Sequence, residues 1–284
     1  MRTIKKIHIA EYRPIADLET YSPMPTHNLP HIDPFLFLNH HGFQTYPPNN
    51  NGLPFGPHPH RGIETVTFIV DGDIAHEDNN GYKSVINGGG IQWMTAGKGL
   101  IHAETSSEEF LENGGDLEIL QLWVNLPAKY KMTEPNYTGL QEEGIPHIKS
   151  DDGKVRIKAI SGNWNGEKGA FDSLTDVYLS SLEFKAGGKI SFEVEAERNI
   201  LFYVVRGKVS VNGKEVSMRH LVEFTNDGKN IDIEATEDSL IIFGHALPYN
   251  EPIVAHGPFV MNSMEEIQQA YLDYQNGKFG IWKG

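Results

Sequence analysis

The chain contains no cysteine among its 284 residues. This absence excludes disulfide bonds, and it leaves only nitrogen and oxygen ligands for any metal site. No run of apolar residues approaches the roughly 20 that a membrane-spanning helix needs. The basic N-terminal segment, MRTIKKIHIAEYRP, also lacks an apolar core of signal-peptide length. We therefore expect a soluble, cytoplasmic protein that does not bind membranes.

Basic side chains are scarce relative to acidic ones. Lys and Arg together number 24 and Asp and Glu number 38, so the formal net charge is −14. This balance disfavours the broad basic face that binds nucleic-acid phosphates. We expect no direct nucleic-acid partner.

Glycine and proline, by contrast, are frequent, with 29 and 16 residues, many of them between short apolar runs. Runs of β-branched and aromatic residues that end at turn residues predict strands, as in Thr65–Val70 before Asp71-Gly72-Asp73. The dipeptide Asn212-Gly213, which separates two such runs, predicts a tight hairpin. The pattern predicts an all-β protein.

Only two segments favour a helix, residues 127–132 and residues 263–274. The second begins with the capping-box pattern of Ser263 and Glu266, so we expect a short C-terminal helix. Residues 133–165 are poor in apolar runs, and the two halves of the chain show a weak internal similarity. These features predict two β-barrels in tandem, spanning residues 1–138 and 139–284.

Potential metal ligands occur in two closely spaced pairs. His58 and His60 are two residues apart, and so are His102 and Glu104. Alternate residues of a strand point to the same side, so two facing pairs place three imidazoles and one carboxylate around one point. Such a set suits Fe(II), Mn(II), Ni(II), Cu(II) or Zn(II). On spacing alone Glu64 remains an alternative carboxylate, since it shares the parity of His58 and His60.

Arg61 lies between these histidines and Glu64. It can pair with Glu64 or lie near the metal, and we expect a structural ion pair.

The order of these residues resembles that of a known family. The arrangement Gly52-x5-His58-x-His60-x3-Glu64-x7-Gly72 resembles the first motif of the cupin superfamily, and residues 90–102 resemble the second motif in a looser form. Longer strings look like the pirin family of bicupins: DPFLFLNHHGF, HPHRGIETVTFIVDG, WMTAGKGLIHAE, LQLWVNLP and NEPIVAHGPFVMNS. They extend from about residue 33 to residue 263, so the resemblance covers most of the chain.

This resemblance implies two cupin (jelly-roll) barrels and one mononuclear iron, expected as Fe(II), in the N-terminal barrel. The family's ligands match His58, His60, His102 and Glu104 in their motifs, and the resemblance implies that the cupin glutamate at Glu64 is not the usual ligand.

The C-terminal half lacks an equivalent ligand set. Where a metal-binding cupin carries H-x-H, the chain has Ile190-Ser191-Phe192-Glu193, and His245 and His256 are isolated. We expect no metal in the C-terminal barrel.

Two functions follow from the resemblance. The first is a metal-dependent dioxygenase similar to quercetin 2,3-dioxygenase, which opens the heterocycle of a flavonol with O2 and releases carbon monoxide. Its substrate is a small flavonol-like aromatic molecule, and Glu104 serves as general base. The alternative is a non-catalytic, iron-dependent redox sensor that binds protein partners.

Overall fold

A computed structural model describes residues 1–283. Within this range, strands account for most of the regular structure, with two α-helices and two short 3-10 helices at Ala128–Tyr130 and Glu142–Gly144. The strands of the first half are β1 (Ile4–Ile9), β2 (Glu11–Tyr12), β3 (Thr20–Met24), β4 (Phe35–Tyr46), β5 (Phe55–His60), β6 (Ile63–Asp71), β7 (Asp73–Asp78), β8 (Lys83–Asn87), β9 (Ile91–Thr95), β10 (Leu100–Thr105), β11 (Gly115–Asn125) and β12 (Asn136–Leu140). Helix α1 (Glu108–Asn113) lies between β10 and β11.

The second half continues this pattern. Its strands are β13 (His147–Lys149), β14 (Val155–Ser161), β15 (Asn163–Trp164), β16 (Glu167–Lys168), β17 (Val177–Phe184), β18 (Lys189–Glu193), β19 (Asn199–Arg206), β20 (Lys208–Val211), β21 (Lys214–Ser217), β22 (His220–Phe224), β23 (Asn230–Ala235), β24 (Ser239–Ala246), β25 (Val254–His256) and β26 (Phe259–Met261). Helix α2 (Met264–Gln275) follows β26. The all-β fold with a short C-terminal helix is confirmed.

The chain forms two compact units, each assembled from three segments. The first, here called the C-terminal barrel, contains Met1–Glu11, Tyr21–Phe35 and Gly144–Pro248. The second, here called the N-terminal barrel, contains Tyr12–Thr20, Leu36–Glu143 and the residues from Tyr249 onward. The division at residue 138 stays a prediction, and the sequence did not indicate that each unit takes strands from both ends of the chain.

The N-terminal barrel contains two facing groups of strands, β12-β9-β6-β11-β4 and β5-β10-β7-β8. Strand β6 alternates Thr65 and Thr67 with apolar neighbours, and Thr67 lies opposite Gln92 on β9 and Gln121 on β11. The turn between β6 and β7 is the predicted one. Its Gly72 has φ of 81°, and a Cβ there would lie 2.8 Å from the carbonyl oxygen of Asp116.

The C-terminal barrel has the same build. Its sheets run β1-β22-β19-β24-β17-β14-β13 and β18-β23-β20-β21. Its core is apolar, with fully buried Phe202 and Phe243 among many aliphatic side chains. Asn212 and Gly213 both have positive φ, 48° and 77°, as a type I′ turn requires, so the predicted β20–β21 hairpin is confirmed.

Helix α2 begins at the predicted capping box. The Ser263 hydroxyl accepts from the Glu266 backbone N–H, and the Glu266 carboxylate accepts from the Ser263 backbone N–H. Its buried face presents Ile267, Ala270 and Asp273, and the helix packs within the N-terminal barrel beside β25 and β26. A polar residue on this face has a specific partner, described below.

Candidate metal centre

Two neighbouring strands bring three histidines together. Strand β10 pairs antiparallel with β5, and His102 lies directly opposite His58. Each of the three residues His58, His60 and His102 offers a ring nitrogen within 4.8 Å of the others. The ring centroids of His58 and His102 are 4.4 Å apart. The H-x-H pair and the histidine of the H-x-E pair therefore converge as their spacing predicted.

Backbone carbonyls fix the orientation of two of these rings. His58 Nδ1 lies 2.7 Å from the Gly56 carbonyl oxygen, and His60 Nδ1 lies 3.1 Å from that of Pro258. A carbonyl only accepts, so each Nδ1 carries the proton and each Nε2 keeps its lone pair. In both residues the Nε2 atom is the one left for a metal, which is the arrangement that commonly orients metal-ligating histidines.

Burial keeps His60 and His102 in the protonation state that ligates metals. Burial, and then the neighbouring His58, lower the pKa of His60 to about 3. Burial likewise holds the pKa of His102 well below its usual value, with further lowering by His60, His58 and His76. Both imidazoles are therefore neutral at physiological pH, and a neutral imidazole is the form that binds a metal.

The cluster also contains buried ring nitrogens with nothing to bind. His60 Nε2 and both nitrogens of His102 have no hydrogen-bond partner in the described part of the chain. Buried polar atoms without partners are costly, and an ion at the centre of the cluster would satisfy those that face it. The donor set of three imidazoles fits a divalent transition metal, so the site suggests a metal without fixing its identity.

Glu104 lies nearby but is held by other side chains. It follows a register irregularity in β10 and is 1% exposed. One carboxylate oxygen, Oε1, accepts from Thr67 Oγ1 at 3.1 Å and from Gln92 Nε2, and Oε2 accepts from Gln121 Nε2 at 2.5 Å. Its oxygens are not in the group of ligand atoms that lie within 4.8 Å of one another. Its assignment as a fourth ligand stays a proposal.

Glu64, the competing carboxylate, is engaged elsewhere. It is 1% exposed and accepts from Thr95 Oγ1 at 2.7 Å on the neighbouring strand β9. Burial raises its pKa to about 7, against the opposite effect of hydrogen bonds with Thr95 and Trp93. It too lies outside the histidine group among residues 1–283.

Arg61 forms a structural ion pair, as expected, but its partner is not Glu64. Its Nη1 donates to Asp273 Oδ2 of α2 at 2.8 Å, and its Nε donates to the Lys98 carbonyl at 2.7 Å. The guanidinium also lies over the Phe279 ring, 4.6 Å from its centroid. Sequence reasoning missed Asp273 because it lies more than 200 residues further along the chain.

Aromatic side chains border the cluster on the side of His60. The Trp123 ring meets the His60 ring edge to face at 5.0 Å and stacks on Phe37 at 4.7 Å. Trp123 Nε1 is buried and finds no acceptor among the described residues. Trp123 and Gln121 are two residues apart on β11, so their side chains lie on the same, inward face of the strand. This spacing is the sequence signal that could have indicated Trp123.

A second buried network, of hydrogen bonds and stacked rings, is connected to Glu104 through Gln92. The His76 ring stacks on Tyr137 at 3.8 Å, and His76 Nε2 lies 3.3 Å from Asp78 Oδ2. The Tyr137 hydroxyl donates to Gln92 Oε1 at 3.1 Å. Of these four residues only Gln92 lies in a segment that resembles a cupin motif, so the sequence did not indicate the network.

His245, in the C-terminal barrel, is held by contacts with neighbouring side chains. His245 stacks on Tyr178 at 4.6 Å and accepts at Nδ1 from Arg198 Nε at 2.7 Å. Burial, and then the charge of Arg198, lower its pKa to about 3. The absence of a metal from this barrel stays a prediction.

The fold and this cluster define a two-barrel cupin protein in which one barrel carries a candidate metal site. The chain belongs to the pirin family. The family's sequence model, described as Pirin, matches residues 17–124, and the model of the Pirin C-terminal cupin domain matches residues 179–280. No described helix is long and apolar enough to span a membrane.

Relatives and solved structures agree with this assignment. A Pseudomonas aeruginosa protein named as a candidate quercetin 2,3-dioxygenase is 35% identical over 266 residues, 94% of this chain and 92% of its own. A crystal structure of quercetin 2,3-dioxygenase from Acinetobacter baumannii has a TM-score of 0.91 and 32% identity, and covers 99% of both chains. The bacterial pirin YhhW of Escherichia coli, solved in complex with nickel(II), has a TM-score of 0.68 at 20% identity, covers 86% of this chain and 99% of its own, and shows the shared fold.

Proposed function

We propose that the N-terminal barrel is a metal-dependent dioxygenase that opens the heterocycle of a flavonol with O2, as quercetin 2,3-dioxygenase does. The observation that carries this proposal is the convergence of three buried imidazoles, His58, His60 and His102, within 4.8 Å. We include Glu104 as the fourth ligand, and we take Fe(II) as the resident ion. The names of the relatives give independent support for the reaction class.

When bound by His58, His60, His102 and Glu104, the ion would supply Lewis acidity that lowers the pKa of a coordinated hydroxyl. The residues around it can hold a planar substrate. The stacked rings of Phe37 and Trp123 form a flat apolar wall beside His60. The unpaired Trp123 N–H can donate to an oxygen of a bound ligand, which gives the wall a polar point of orientation.

We assign to Glu104 the role of taking the proton of the substrate hydroxyl. Its Oε2 carries one hydrogen bond, from Gln121, and keeps one free lone pair. That lone pair can accept either a metal ion or a proton, so Glu104 can act as general base only while it is detached from the metal.

The test is turnover under defined metal loading. Protein loaded anaerobically with Fe(II) and then exposed to air and quercetin should consume the flavonol and release carbon monoxide. His58→Ala should abolish both metal binding and turnover. A rate no higher than that of free Fe(II) would overturn the proposal. Elemental analysis of protein purified without a histidine tag identifies the resident metal.

A further inference from the structure

We propose that Gln92 and Gln121 are positioning residues that make Glu104 a ligand through one oxygen only, Oε2. This inference rests on the proposed metal site and adds to it the device that governs its carboxylate. Both glutamines reach Glu104 from strands that neighbour β6, namely β9 and β11. They therefore contact the carboxylate from the opposite wall of the barrel to the one that carries the three histidines.

The number of free lone pairs limits which oxygen of Glu104 can bind a metal. A carboxylate oxygen has about two lone-pair directions for hydrogen bonds. Oε1 accepts from both Thr67 and Gln92, so its two directions are occupied. Oε2 accepts from Gln121 alone. Only Oε2 can bind a metal without breaking a hydrogen bond.

The orientation of the Gln92 amide is itself determined. The Tyr137 hydroxyl donates to Gln92 Oε1 at 3.1 Å, and the Gln92 Nε2 donates to both Thr67 and Glu104. The reverse orientation of the amide would place two acceptors against each other at Glu104 and leave a donor facing the hydroxyl. Ser84 Oγ lies 2.5 Å from the Tyr137 hydroxyl, and His76 stacks on its ring, so the hydroxyl is held in place.

The consequence is a carboxylate that is fixed before a metal binds and still supported after it leaves. Glu104 is 1% exposed, and a buried charge without hydrogen bonds would be costly. With two amides and one hydroxyl as donors, the detached carboxylate remains satisfied. We call Gln92, Gln121 and Thr67 the clamp. Because of the clamp, Glu104 can leave the metal and still keep hydrogen bonds to its buried carboxylate.

The first test is a crystal structure of the Zn(II)-loaded full-length chain. We expect Oε2 within about 2.2 Å of the ion, and Oε1 still hydrogen-bonded to Thr67 and Gln92. Binding through Oε1, binding through both oxygens, or a Glu104 that remains outside the coordination sphere would overturn the proposal.

The second test measures Zn(II) affinity by competition with a chromophoric chelator. Gln121→Leu should weaken binding about tenfold, the lower end of the loss expected when a partner of a ligand is removed. In a Glu104→Gln background the same substitution should have no effect, because Gln121 acts through Glu104. Gln92→Leu provides a second variant on the other oxygen, and Gln141→Leu, on an exposed glutamine that contacts Val85 and Asn87, is the matched control.

Two results would contradict the clamp. An unchanged affinity in Gln121→Leu would show that the amide does not position the carboxylate. An equal loss with and without Glu104 would show a general effect on the barrel. Neither measurement uses quercetin, so a protein that binds Zn(II) as described but does not turn over the flavonol would refute the proposed function and leave the clamp intact.

Discussion

His60 and Pro258 are 198 residues apart in sequence, and the Nδ1 of His60 lies 3.1 Å from the carbonyl oxygen of Pro258. The carbonyl determines which nitrogen of the ring carries the proton, so the C-terminal segment takes part in orienting the histidine cluster. The same segment supplies Asp273, which binds Arg61, the residue directly after His60. Residues that follow the C-terminal barrel in the sequence therefore contact both His60 and its neighbour Arg61.

Metal binding should stabilise the folded chain. A ligand that binds only the folded state at a free concentration 1,000 times its Kd adds about 4 kcal/mol to the free energy of unfolding. We expect Zn(II) to raise the urea midpoint of the wild type and of His27→Ala, whose histidine is exposed and remote from the cluster in sequence. His102→Ala should show no such rise; a rise of equal size would place the metal elsewhere.

Loss of the Trp123 N–H should weaken substrate recognition. Trp123→Phe keeps an aromatic wall beside His60 but removes the unpaired donor. We expect kcat/KM for quercetin to fall about tenfold, the effect of losing one hydrogen bond of about 1.4 kcal/mol. Trp282→Phe, a substitution of the same kind outside the site, should leave kcat/KM unchanged. Equal steady-state kinetics in all three proteins would show that the indole N–H does not contact the substrate.

Glu64 should make stability fall as the pH rises. Its pKa is raised from 4.5 to about 7 in the folded protein, so between these values the folded state holds a proton that the unfolded state has lost. The contribution of Glu64 to the free energy of unfolding should therefore decline by about 3 kcal/mol from pH 4.5 to pH 8.

Glu64→Gln should remove this decline. Its stability relative to the wild type should increase between pH 4.5 and pH 8, as measured by urea unfolding at several pH values. Glu112→Gln, on an exposed carboxylate of α1, is the matched control and should follow the wild type. Parallel curves for Glu64→Gln and the wild type would mean that Glu64 titrates normally.

Removing only one partner of the Arg61–Asp273 ion pair should strongly reduce the free energy of unfolding. The side chains are 4% and 9% exposed, so Asp273→Ala leaves a buried guanidinium without its counter-ion. We expect a loss of about 3–5 kcal/mol in the free energy of unfolding, and a smaller loss when Arg61→Met is combined with it. Glu134→Ala, which breaks the exposed Lys98–Glu134 pair, should cost less than about 1 kcal/mol. A double variant as unstable as Asp273→Ala would contradict this account.

Local patterns predicted the strands and the convergence of three histidines because these features depend on short-range geometry. The two-residue spacing of His58 and His60 places both rings on one side of β5, and the pairing of His58 with His102 follows from the barrel. The Asn212-Gly213 hairpin and the Ser263 capping box are also set by a few adjacent residues.

The contacts that complete the site join distant parts of the chain, and no spacing rule reports them. Gln92 and Gln121 meet Glu104 only because β9 and β11 flank β6 in the folded sheet. Pro258 contacts His60 through its backbone carbonyl, so its side chain gives no sequence signal for this contact. Pairing of Arg61 with the nearby Glu64 was one alternative, but its partner is Asp273 on helix α2, 212 residues further along the chain.

The three-segment make-up of each unit sets an order for folding during translation. Strand β1 leaves the ribosome before its partner β22, which is synthesised more than 200 residues later. The histidines of β5 and β10 emerge early, but Pro258 and Asp273 appear only after the whole of Gly144–Pro248. The N-terminal barrel therefore begins to form before the C-terminal barrel but is finished after it, and the contact of His60 with Pro258 forms only once Pro258 has left the ribosome.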